Sequence, residues 1–147
     1  MTMKEFNEYL RLGIAKKQSP NVGRARSLID ESDDKYQYVL TSLSIIPKEK
    51  LNANVILDQC YDVLMELIRA KMHIEGYNAG SSHEAEVSYL QVLGFSAADV
   101  RFMNELRYYR NGTKYYGTKL DMQYAEQTIV FMKKVRSQMK ILLEKNK

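Results

Sequence analysis

Tryptophan is absent from this chain, and cysteine occurs once, proline twice and histidine twice. A lone cysteine, Cys60, leaves no internal disulfide to form. It falls on the apolar side of an expected helix, so it reads as a packing residue in a chain suited to a reducing, cytoplasmic setting. One cysteine and two separated histidines, His73 and His83, make no zinc pattern, and neither a metal nor a cofactor is expected. A Walker-type glycine loop, a dinucleotide fingerprint and a nucleophile elbow are also missing. No apolar run approaches the roughly 20 residues needed to cross a bilayer, so no membrane partner is expected, and the opening Met1-Thr2-Met3-Lys4-Glu5-Phe6 is too polar for a secretory signal.

Scarce proline, only seven glycines and no sustained alternation of apolar with polar residues leave helix as the dominant element. The expected architecture is all-α, an up-and-down bundle of about five or six helices with short loops. The 147 residues, 45% of them hydrophobic, suit a single domain in which residues 1–50 form a helical extension packed on a 51–147 core. The first helix is expected from Thr2 to about Lys17, ended by Gln18-Ser19-Pro20. The second runs from about Asn21 to Ile46, with its acidic Asp30 to Asp34 stretch in water. The third follows Asn52 and carries Ile56, Cys60, Val63, Leu67, Ala70 and Ile74 at helical spacing. Ser81 with Glu84 reads as a capping box for a fourth helix, and Ser96 with Asp99 for a fifth bearing Val100, Met103 and Leu106 inward. A last helix spans about Leu120 to Glu144, with Lys133, Lys134, Arg136 and Lys140 mostly outside.

The fifth helix runs into Glu105-Leu106-Arg107-Tyr108-Tyr109-Arg110-Asn111-Gly112-Thr113-Lys114-Tyr115-Tyr116-Gly117, where the helix is expected to end. Arg107, Arg110, Asn111 and Lys114 are three or four apart and share a face suited to phosphate. For Arg110 two readings stand: a planar fork on two phosphate oxygens, or a salt bridge to Glu105 or Glu84. Asn111 can orient a phosphate or sugar, or cap the helix. Tyr109 and Tyr116 can stack on bases, or edge a core or dimer interface. The net charge of +4 permits a polyanionic partner without demanding one.

Arg110-Asn111, three intervening residues and Tyr115 resemble the signature of HEPN domains, whose mark is an Arg, usually followed by Asn, Asp or His, and then a His four to six residues on. The likeness extends back to about Asn52 through a long helix, a polar Ser81-Ser82-His83-Glu84 loop and a second helix in the family's order. Tyr115 stands where nuclease members carry His. The resemblance implies a homodimer in which Arg110, Asn111 and Tyr115 of each chain line a shared groove binding RNA or nucleotide, with Arg107, Lys114, Tyr116 and His83 as further substrate contacts. It implies metal-independent endoribonuclease activity of a toxin–antitoxin or defence type, with His83 a candidate for the missing imidazole. The alternative is a non-catalytic module partnering a nucleotidyltransferase, with Tyr115 or Tyr116 as the modified group.

Overall fold

A computed structural model describes residues 3–115 and 119–145. Six α-helices occur among them: α1 (Phe6–Arg11), α2 (Val22–Ile45), α3 (Ala53–Glu75), α4 (His83–Val92), α5 (Ala97–Tyr115) and α6 (Met122–Glu144). A 3-10 turn at Lys48–Lys50 joins α2 to α3, and two short strands, β1 (Lys16–Lys17) and β2 (Tyr77–Asn78), pair antiparallel. The all-α bundle is the fold.

Polar side chains set several helix starts. The Asn21, Asn52, Ser82 and Asp121 side chains accept the backbone N–H three residues on, satisfying a donor with no partner inside its helix. Ser96 Oγ does the same for the N–H of Asp99 at 3.1 Å. The cap before α4 is thus Ser82, one residue beyond the expected Ser81, because the chain first completes a turn in which Ser82 N–H donates to Ala79 O.

Around α3 the molecule closes. Leu57, Cys60, Tyr61, Leu64, Met65, Leu67 and Ile68 are all fully buried, so most of the circumference of this helix is enclosed. It packs against α2, α4, α5 and α6. From α6 come Ala125, Met132, Val135 and Met139, from α5 Val100, Met103 and Leu106, and from α4 Val87 and Leu90.

Three features depart from the sequence expectations. The first helix covers only Phe6–Arg11; Gly13 then turns the chain, and Lys16–Lys17 becomes β1 instead of helix. Its register, Lys16 with Asn78 and Lys17 with Tyr77, ties the N-terminal arm to the end of α3. Phe6 anchors the arm, its ring edge-on to Tyr77 and Tyr89 at 5.3 and 4.8 Å. The acidic stretch of α2 does not simply face water: Ser32 is fully buried and donates to Val63 O at 2.8 Å, while Asp33 receives Arg136 and Lys140 of α6 at 3.0 and 2.9 Å. Finally, α5 does not stop near Arg110 but continues to Tyr115 with Gly112 inside it. One glycine of this fold is indispensable. Gly76 caps α3 at φ 84°, and a Cβ there would sit 2.6 Å from Gln18 O.

Candidate functional site

Positions 103, 106 and 110 step by three and four, so Arg110 prolongs the buried stripe of α5 made by Met103 and Leu106. Its side chain is 16% exposed and lies across α3. There Nε meets Asp58 Oδ1 at 2.6 Å, and Nη1 meets Asp62 Oδ1 at 2.5 Å. Asp58 and Asp62 are four apart on α3, which aims both carboxylates at one guanidinium. Between them, the Tyr61 ring lies beneath it, its centroid 5.3 Å from Cζ. The carboxylates remain 43% and 30% exposed, so solvent screens the pairs and each contributes on the order of 1 kcal/mol or less to stability. Their larger effect is to hold the guanidinium in one orientation.

Neither acid offered by sequence spacing pairs with Arg110 in this way. Glu105 accepts the Tyr124 hydroxyl at 2.8 Å. Glu84 turns to Arg107, whose Nη2 is 3.9 Å from Oε2, and to the Tyr9 hydroxyl, which donates to Oε1 at 2.6 Å. Arg107 Nε also donates to Asn104 Oδ1 at 2.8 Å. Burial, with help from this carboxylate, pushes the Tyr9 phenol well above its ordinary pKa.

His83 opens α4 and comes to the same face. Its Nδ1 is 3.4 Å from the Tyr61 hydroxyl and its Nε2 is 3.5 Å from Arg69 Nη2. A guanidinium can only donate, so these contacts assign the lone pair to Nε2 and the proton to Nδ1. Burial lowers the imidazole pKa; Glu86 opposes that shift, whereas Arg69 and Arg110 reinforce it. The direction of the shift favours the neutral ring, in a side chain that remains exposed. Arg69 is itself bound by Glu86, Nε to Oε2 at 2.8 Å, and the other Glu86 oxygen is buried without a hydrogen-bond partner among the described residues.

Three helices thus bring Arg107, Arg110 and His83 together, joined through Tyr61 and Glu84. Asn111 lies one residue beyond Arg110 on α5 and is exposed. Lys114 and Tyr115 belong to the last turn of α5, but their side chains, and Tyr116 altogether, fall outside the described residues. His73 lies away from this face, its Nδ1 3.2 Å from Gln18 Nε2, with its pKa lowered by burial. The residues that sequence reasoning missed are Asp58, Asp62, Tyr61, Arg69 and Glu86. A trace of them was present: Asp58, Asp62 and Arg69 are charged positions at helical spacing beside the apolar stripe of α3. Against the guanidiniums of Arg69, Arg107 and Arg110 stand the carboxylates of Asp58, Asp62, Glu84 and Glu86, so the face carries no excess of positive charge. Among the described residues no cluster of His, Cys, Asp and Glu could hold a metal ion.

No family model matches the chain, and no curated protein or solved structure is significantly similar to it.

Proposed function

We propose that this protein is a HEPN-like module that binds RNA or nucleotide on the face shared by α3, α4 and α5, with two copies meeting so that their Arg110 side chains line one groove. The observation that carries this reading is that α4 delivers His83 beside the Tyr61 ring over which Arg110 is held. A fixed guanidinium suits a phosphate, and a neutral imidazole can accept a proton. In the metal-independent cleavage that the resemblance implies, a base removes the ribose 2'-hydroxyl proton, that oxygen attacks the adjacent phosphorus, and the 5'-oxygen leaves with a proton. Tyr115 is one candidate base, and His83 is the other once its Nε2 lone pair exchanges Arg69 for the substrate hydroxyl. The carboxylates of Asp58 and Asp62 compete with an incoming phosphate for Arg110, so binding by one chain is weak.

Labelled RNA incubated with the protein and with Arg110→Ala tests the reading in one assay of binding and cleavage. Loss of one charge-assisted phosphate contact should weaken binding about tenfold, the equivalent of ~1.4 kcal/mol. Indistinguishable behaviour of the two proteins ends the proposal.

The balanced charge of the face favours a second reading, a non-catalytic module that partners a nucleotidyltransferase and offers Tyr115 or Tyr116 for modification. Intact mass after purification separates the two: an added nucleotide supports the partner reading, and an unmodified chain that binds RNA supports the first.

A further inference from the structure

Behind the start of α4, on the side of the β1–β2 ribbon, lies a cavity of about 630 Å³. Its walls come from segments far apart in sequence: Lys16, Lys17 and Gln18 on the N-terminal arm, and Asn78, Ser81 and Ser82 between α3 and α4. No lining residue is acidic. Among the described residues nine cations have a carboxylate within ion-pair distance, and Lys16 and Lys17 are among the cations that do not. Both lysines are exposed. Two ammonium groups with no local counter-charge, at the mouth of a concave site, give it a positive potential that the Arg110 face lacks.

The remaining lining says which anion fits. Gly13 and Gly80 also border the cavity, and a Cβ added at either would meet no atom within 4 Å, so the backbone there is open to close approach. Ser81 and Ser82 supply hydroxyls beside the first turn of α4, the positive end of a ten-residue helix. Ammonium groups and hydroxyls suit the compact oxygens of a phosphate, the Gly13 and Gly80 N–H groups being bonded to Leu10 O and Asn78 Oδ1, and the volume suits a ligand of nucleotide size. We propose that this cavity is a phosphate-binding site that takes a nucleoside monophosphate, with Lys16 and Lys17 countering its charge and Ser81 and Ser82 donating to its oxygens. The site is separate from the Arg110 face and stands without it.

Titrating the full chain with AMP at low salt, followed by amide chemical shifts, reads the proposal directly. Saturable shifts are expected at Gly13, Lys16, Lys17, Gly80 and Ser81, with adenosine producing none. The double substitution Lys16→Gln with Lys17→Gln should weaken AMP binding at least about tenfold while the rest of the amide spectrum stays in place, and Lys133→Gln, an exposed lysine of α6 outside the cavity lining, should leave it unchanged. Lys16→Gln alone, expected to weaken binding in the same sense, replaces the double variant if the latter loses its fold. The absence of saturable shifts, equal shifts with adenosine, equal binding by an oligoglutamate peptide, or AMP affinity unaffected by the lysine substitutions would each overturn it.

Discussion

Glu66 shows how one side chain links burial to pH. It is 3% exposed on α3 and faces Glu31 and Lys35 of α2, with Asp62 also close to that lysine. The Lys35 ammonium comes within 2.9 Å of Oε1, yet that oxygen has no aligned hydrogen bond. Burial, then the bond to the Glu31 carboxyl, raises the Glu66 pKa to about 7, while that bond lowers the pKa of Glu31. A carboxyl whose pKa is raised on folding contributes stability that is fully present below its unfolded value and fades as pH rises through the folded value. The lowered pKa values of His73 and His83 give both proteins a rising slope, so the thermal midpoint of the wild type should fall relative to that of Glu66→Gln between about pH 5 and pH 7.5. A difference between the two proteins that does not change in this sense would contradict the raised pKa of Glu66. The same scale explains why the partners of Arg110 were not legible. Sequence spacing offers neighbours on the same helix or a nearby turn, and Asp58 and Asp62 reach it only because α5 crosses α3.

Helices with long apolar stripes were legible almost to the residue. Asn21 and Asn52 sit at the starts of α2 and α3 as their composition suggests, and α6 begins two residues after the expected Leu120. The ribbon was not legible, because two-residue strands carry no periodicity and β1 owes its conformation to a partner beyond α3. Its junction is stiff in one place. Gly76 both ends α3 in a left-handed conformation and accepts the Gln18 N–H at 2.9 Å. Gly76→Ala should cost at least about 1–2 kcal/mol from the backbone conformation alone, and more from the collision with Gln18 O, as read by chemical denaturation. A variant as stable as the wild type would mean that the arm does not dock as described.

For the whole molecule, the all-α class followed from composition, while the distribution of charge did not. A net charge of +4 gives no hint that, among the described residues, eight cations are matched by carboxylates on another element, with Asp33 receiving both Arg136 and Lys140. The proposed groove requires two copies. Sedimentation equilibrium should return twice the chain mass at micromolar concentration, and a single-chain mass throughout would remove the shared groove from the proposal. A further consequence follows from the enclosure of α3. Leu57, Cys60, Leu64, Leu67 and Ile68 of α3 are wholly enclosed, so those positions tolerate only swaps that keep volume. New chemistry can enter this helix only along the line of Asp58 and Asp62, which still reaches solvent.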